Sequence, residues 1–232
     1  MQKAKLISKK IVADNTFEFV FETESQFNFI PGQYISIKID DKKSELPCFR
    51  AYSISSIPNG NKFELCVKII ENGRGSTWLP GLKEGSEIEF RGPIGDFIFK
   101  NPPSKNILFL AVGSGITPMK SIIESELKNG NKQNIHLIFG ARYIKDIFYK
   151  DLFENLAKKH NNFTFTFALT RPENTDWKGK IGRITEILKE TAINPKNTSA
   201  YICGLKEMIT DCKRILTEKD VPEGNIFFEN FN

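Results

Sequence analysis

The sequence predicts a small antiparallel β barrel of at least six strands, followed by a parallel α/β sheet with helices on both faces. Three observations predict it. Apolar and polar residues alternate with a period of two through much of the first hundred positions, with little helix-period sequence between them. Beyond Asn101-Pro102-Pro103-Ser104, apolar strands alternate with segments of helical period. The first apolar strand of that second half, Ile107-Leu108-Phe109-Leu110-Ala111, runs directly into a glycine turn and a helix.

In chain order, strands are expected over residues 3–12, 16–24 and 33–40. Alternation is clear in Phe17-Glu18-Phe19-Val20-Phe21-Glu22 and in Tyr34-Ile35-Ser36-Ile37-Lys38-Ile39. Asn15 and Pro31-Gly32 supply the turns. A Pro47 break precedes a strand at 49–56, which Pro58-Asn59-Gly60-Asn61 joins to a strand at 62–70 as a hairpin. A sixth strand at 86–91 precedes Gly92-Pro93-Ile94-Gly95. The second half reads as strands at 107–112, 134–140, 163–169, 199–203 and 225–229, with helices at 117–129, 146–159, 182–191 and 205–217. The domain boundaries expected are therefore 1–101 and 102–232.

Composition narrows the function classes. Hydrophobic content of 40% and charged content of 26% are those of a globular protein in water. No apolar run approaches the roughly 20 residues of a membrane span, and Met1-Gln2-Lys3-Ala4-Lys5 leads straight into a strand pattern, so a cytoplasmic protein is expected. Cys48, Cys66, Cys203 and Cys212 match no zinc or iron–sulfur spacing, so separate thiols and no metal are expected. His136 reads as a core histidine and His160 as a helix end, neither with a catalytic role. The net charge is +5, and most of it falls in the second half. That excess suits phosphorylated ligands or an acidic protein partner, or is Lys-rich surface. No basic stripe interleaved with aromatics is present, which argues against nucleic acid.

Four stretches carry chemistry. In Arg50-Ala51-Tyr52-Ser53, strand geometry puts Arg50 and Tyr52 on one face and Ala51 and Ser53 on the other. A guanidinium fork beside a flat ring suits a diphosphate and a planar heterocycle. Gly73-Arg74-Gly75-Ser76-Thr77 follows a strand and opens a short helix, either as an anion cradle with hydroxyl donors at Ser76 and Thr77 or as a capped flexible turn. Gly113-Ser114-Gly115-Ile116-Thr117-Pro118 is strand, glycine turn and helix, the context of a nucleotide-phosphate site, with Pro118 where a dinucleotide fingerprint would carry its last glycine. Cys203-Gly204 ends a strand before a helix, where Cys203 either faces a ligand or is a buried small hydrophobe. At another strand end, Arg171 after Thr170 is either a ribose-phosphate contact or an ordinary exposed arginine.

These stretches, in this order, resemble the ferredoxin–NADP⁺ reductase family in its compact two-domain form, over essentially the whole chain. Pro31-Gly32-Gln33-Tyr34 and Gly92-Pro93-Ile94-Gly95 are similar to its barrel signatures. The resemblance implies an FAD-binding barrel followed by a Rossmann-like NAD(P)-binding domain. It assigns Arg50 to the FAD pyrophosphate, Tyr52 to stacking on the flavin, Ser53 to the neighbourhood of flavin N5, and Gly73, Gly75, Ser76 and Thr77 to the pyrophosphate turn. Ala51, Lys68 and the near-terminal aromatic Phe231, a candidate lid ahead of Asn232, complete the FAD set. It assigns Gly113, Gly115, Thr117, Pro118, Arg142, Arg171, Cys203 and Gly204 to NAD(P), and Ser53, Cys203 and Glu229 to the catalytic centre.

The activity implied is hydride movement between nicotinamide and flavin N5, with electrons passed on to a separate acceptor. The cysteines do not fit a fused iron–sulfur domain, so a separate carrier such as ferredoxin or flavodoxin, acidic in character, is the expected partner. Arg171 with Lys178 and Lys180 favours NADPH, whereas Trp177-Lys178-Gly179-Lys180-Ile181-Gly182 resembles a segment of NADH-using relatives. Two alternatives keep the fold: a free-flavin reductase, and an electron-transfer or regulatory subunit of a larger complex.

Overall fold

The computed structural model describes residues 1–40, 46, 48–173 and 176–231; Pro47 and Asn232 lie outside the described residues. The chain divides into two compact units, Met1–Phe99 with Lys120–Ser125, and Lys100–Met119 with Glu126–Asn232.

The first unit is an antiparallel sheet of β1 (Gln2–Ala13), β2 (Thr16–Glu22), β3 (Tyr34–Ile39), β4 (Cys48–Ser53), β5 (Lys62–Lys68) and β6 (Glu87–Ile94). The strand order is β4-β3-β6-β1-β2-β5. Asn15 makes the β1–β2 turn at φ 50°, a left-handed conformation that asparagine tolerates. The sheet curls until its end strands meet. Ile54 bridges Leu65, and Ser55 N–H donates to the Glu64 carbonyl at 2.9 Å, so the expected barrel closes along this seam.

Inward positions of the alternating strands fill the barrel with aromatic rings. Phe63 lies 5.6 Å from Phe21, 5.0 Å from Phe27 and 5.6 Å from Phe90. Each such ring contributes about 1.5–3 kcal/mol relative to exposure, which explains why so small a barrel uses phenylalanine so heavily. The strand expected at 49–56 ends at Ser53; Ile54 N–H still reaches the Gln33 carbonyl in register, and the chain then crosses to β5, where Ser55 N–H bonds the Glu64 carbonyl. The strand expected to stop at residue 91 runs on to Ile94, since Tyr34 still pairs with Ile94. A short helix α1 (Arg74–Trp78) follows β5.

The second unit holds a parallel sheet of β7 (Asn106–Val112), β8 (Asn134–Ala141), β9 (Phe163–Leu169), β10 (Lys180–Ile181), β11 (Thr198–Gly204) and β12 (Ile226–Asn230). Its order is β10-β9-β8-β7-β11-β12. The helices are α2 (Ile116–Lys128), α3 (Lys150–Lys159), α4 (Ile184–Glu190) and α5 (Lys206–Glu218). Even-numbered β7 residues, Leu108 and Leu110, join Ile138, Ile187, Ile209, Ile215 and Leu216 in one core against α4 and α5. On the other face, Phe153 of α3 packs against Phe163 and Phe167, whose ring centroids are 6.1 and 6.5 Å away. Both faces of the sheet are thus covered, as parallel strands require.

Two details differ from expectation. The helix expected from residue 146 starts at Lys150, because Ile144–Asp146 forms a separate 3-10 turn and Tyr149 adopts φ 63° ahead of the helix. The two-residue β10 was not anticipated, being too short to show a period. Among the described residues, no helix is long and apolar enough to cross a membrane, and no His/Cys/Asp/Glu group is arranged to hold a metal.

Candidate functional site

In the first unit the structure brings together two stretches that lie twenty residues or more apart in sequence. Arg50 and Tyr52 project from one side of β4, and the turn leading into α1 lies directly on them. A Cβ built on Gly75 would meet the Tyr52 hydroxyl at 2.2 Å and Arg50 Cγ at 2.9 Å, so no residue but glycine fits there unless that face moves. Arg50 is exposed and Tyr52 half-buried, while Ser53 is buried at the strand end. Burial is the main reason the Tyr52 phenol is held well above its ordinary range, with Arg50 acting weakly against it. The ring therefore stays neutral at any physiological pH. Ala51 is exposed on β4, and Lys68 ends β5 in register with Thr16.

The hydroxyls of the turn, open in the sequence to either a donor or a turn-bracing role, are engaged within the turn itself. Ser76 Oγ accepts from Ile70 N–H at 3.0 Å and donates to the Ile70 carbonyl at 3.2 Å. Thr77 Oγ1 donates to the Gly73 carbonyl at 2.7 Å, and Thr77 N–H goes to the same carbonyl at 3.0 Å. Both side chains shape the turn. Thr77 N–H is the first donor bonded within the helix, so the N–H groups of Gly75 and Ser76 ahead of it are those that a diphosphate beside Arg50 would use. The residues present fit an FAD: a backbone cradle, a guanidinium, and a neutral ring on one surface.

In the second unit a glycine turn meets the end of β11. Gly113 adopts φ 53° with nothing within 4 Å of a built Cβ, which leaves open space above the turn. A Cβ on Gly115 would lie 2.2 Å from the Cys203 carbonyl oxygen and 3.0 Å from Gly204 N. Thr117 Oγ1 donates to the Ser114 carbonyl at 2.8 Å, closing the turn, and Pro118 is buried in the first turn of α2. Cys203 stands in register with Glu229 of the neighbouring strand β12. Burial, with a smaller contribution from Glu229, pushes the Cys203 thiol well up, so it is a compact neutral group and no thiolate. Burial also pushes Glu229 up to about 7. Its Oε2 is buried with no hydrogen-bond partner among the described residues. An orphaned carboxyl oxygen and an open glycine turn, each at the carboxyl end of a strand of a parallel sheet, fit a nicotinamide dinucleotide.

Arg171 N–H donates to the Arg142 carbonyl at 2.8 Å, which puts both arginines at the ends of β9 and β8. Tyr143, which sequence reasoning did not single out, stands beside them with its hydroxyl 3.5 Å from Arg171 Nη1. Its signal was an aromatic directly after a strand-end arginine. Lys178 and Lys180 are exposed. Phe231 is half-buried, and its N–H donates to the Gly204 carbonyl at 3.0 Å within the second unit. The four cysteines are buried thiols outside any disulfide. His160 caps the end of α3, and His136 is half-buried between Thr164 and Thr166 at 2.7 and 3.2 Å.

Comparison with known proteins follows the same division. The oxidoreductase FAD-binding domain signature matches residues 3–99. The oxidoreductase NAD-binding domain signature matches residues 109–214. The chain is 29% identical to ferredoxin–NADP reductase B of Sorangium cellulosum, over 99% of this chain and 97% of that protein. It is 33% identical to NADH-cytochrome b5 reductase 1 of Dictyostelium discoideum, over 97% of this chain and 80% of that protein. The FAD/NAD-binding domain of nitric oxide dioxygenase from Vibrio cholerae superposes with a TM-score of 0.90 at 21% identity, over 99% of this chain and 98% of that one. Fold and signatures define an oxidoreductase with an FAD-binding and an NAD-binding domain. More particularly, the chain belongs to the ferredoxin–NADP⁺ reductase family.

Proposed function

We propose that the protein is an NAD(P)H oxidoreductase that holds FAD tightly and delivers electrons to a separate, acidic carrier of the ferredoxin or flavodoxin kind. The observation that carries this reading is the seating of Gly75 on the Arg50–Tyr52 face, which assembles a diphosphate cradle and a flavin platform from two separate stretches. The bound cofactors supply hydride exchange between nicotinamide and flavin N5.

The chain's own groups do the rest. Arg50 and the N–H groups at 75–76 neutralise and orient the diphosphate. Tyr52 offers a neutral face to the ring system, and Ser53 a hydroxyl at its end. The turn at Gly113–Pro118 receives the dinucleotide phosphates, Cys203 gives an uncharged contact, and Glu229 accepts or holds a proton near neutral pH. Arg171, with Arg142 and Tyr143 beside it, favours the 2′-phosphate of NADPH. The excess of lysine and arginine favours an acidic carrier.

Purified protein should be yellow, keep its flavin through gel filtration, and bleach when NADPH is added without oxygen. Colourless protein that gains nothing from added FAD would overturn the reading. Loss of flavin on the column would favour a free-flavin reductase. Steady-state rates with ferredoxin, flavodoxin and a b-type cytochrome as acceptors then identify the carrier.

A further inference from the structure

The seam that closes the barrel contains a buried cation. Lys120 belongs to the first unit and is 6% exposed. Its ammonium donates to the Ser55 carbonyl at 2.9 Å and to the Glu64 carboxylate at 3.2 Å, and it lies 3.0 Å from Glu124. Ser55 and Glu64 stand on opposite sides of the seam, already joined by the Ser55 N–H bond to the Glu64 carbonyl. One ammonium therefore grips both edges. The next residue adds to the grip, since Ser121 Oγ donates to the Ser56 carbonyl at 2.5 Å.

The segment held this way is the continuation of β4. Ser53, Ile54, Ser55 and Ser56 are 6%, 0%, 0% and 8% exposed. Each peptide of the continuation is tied separately: Ile54 N–H to Gln33, Ser55 N–H and carbonyl to Glu64 and Lys120, and the Ser56 carbonyl to Ser121. Burial works against the Lys120 charge, but Glu124 and Glu64 outweigh it, so the ammonium persists through the physiological range. A charge this deep is a poor stabiliser compared with apolar packing of the same volume. What it supplies is direction: a fixed backbone two residues beyond Ser53.

We infer that Lys120 is a positioning residue for the flavin-facing end of β4, fixing the Ser55 carbonyl and through it the presentation of the Ser53 hydroxyl. The inference rests on reading the first unit as the FAD site. It makes the seam part of the redox machinery as well as of the barrel.

The test uses the FAD-loaded protein, in stopped flow without oxygen. Wild-type protein must first bleach with NADPH; if it does not, the functional reading falls and this proposal with it. Given a reactive wild type, Lys120→Met should slow flavin reduction roughly tenfold. The dinucleotide KM should stay unchanged, and the flavin absorption band should change shape. A folded Lys120→Met protein with the wild-type reduction rate and band, whatever its thermal stability, overturns the positioning role alone. Should Lys120→Met fail to fold, Ser121→Ala decides: it removes one hydroxyl from the same segment and should slow reduction about threefold with a smaller band change. A wild-type rate in that variant overturns the proposal.

Discussion

Replacing Gly75 with alanine tests the central contact of the first unit. Two effects compete. Alanine is the better helix former by about 1 kcal/mol, and it restricts the unfolded chain more than glycine does. Against this, the new methyl would start 2.2 Å from the Tyr52 hydroxyl and 2.9 Å from Arg50 Cγ. Restoring ordinary contact, at roughly 3.4 Å, demands a shift of about 1 Å between turn and ring. Overpacking of this kind costs about 1–3 kcal/mol, so the net change in thermal stability should be small, between no effect and about 2 kcal/mol of loss.

The cofactor should report the displacement far more strongly. A shift of about 1 Å in a constellation that must match a rigid ligand costs on the order of tenfold to a hundredfold. Gly75→Ala protein stripped of flavin and titrated with FAD, followed by quenching of flavin fluorescence, should bind at least tenfold more weakly than wild type. The thermal midpoint of the flavin-free protein should move by only a few degrees. A variant that binds FAD within twofold of wild type would refute the claim that this turn and this face act together.

Two further outcomes follow from the second unit. A carboxyl raised from 4.5 to about 7 in the folded protein takes up a proton that the unfolded chain has lost, so Glu229 contributes stability below about 4.5 that disappears as pH rises towards 7. The full shift corresponds to roughly 3 kcal/mol, and partial exposure screens it to about half. Glu229→Gln should therefore raise the thermal midpoint at pH 8 relative to wild type and change little at pH 4.5; an equal effect at both pH values would show that Glu229 titrates normally. Arg171→Ala should reduce the ratio of kcat/KM for NADPH over NADH by about tenfold, and an unaltered ratio would place 2′-phosphate recognition elsewhere.

Much of this was legible in the sequence because it rests on local rules. Alternation set the strands of the barrel, and apolar runs with glycine turns set the parallel sheet. Phe163–Leu169 was readable to the residue, since its phenylalanines recur every second position. What could not be read depends on partners far away in the chain. Whether Ser76 and Thr77 donate to a ligand or brace their own turn was open in the sequence, and only their bonds to Ile70 and Gly73 show the bracing. Lys120 reads as one more surface lysine on an amphipathic helix, and only Ser55 and Glu64, more than fifty residues earlier, reveal its burial. Tyr149 ends the expected helix extension with a backbone angle that no periodicity encodes.

The hydroxyl bonds inside the turn at 70–77 also bear on the energetics of loading. A loop braced by its own serine and threonine has already lost the conformational freedom that ligand capture would otherwise have to remove. The amide protons of Ile70 and Thr77, which bond within the turn, should accordingly exchange nearly as slowly in flavin-stripped protein as in the loaded form, and rapid exchange there on stripping would contradict this. Uptake then resembles a key entering a finished lock, with affinity set by fit and little lost to ordering.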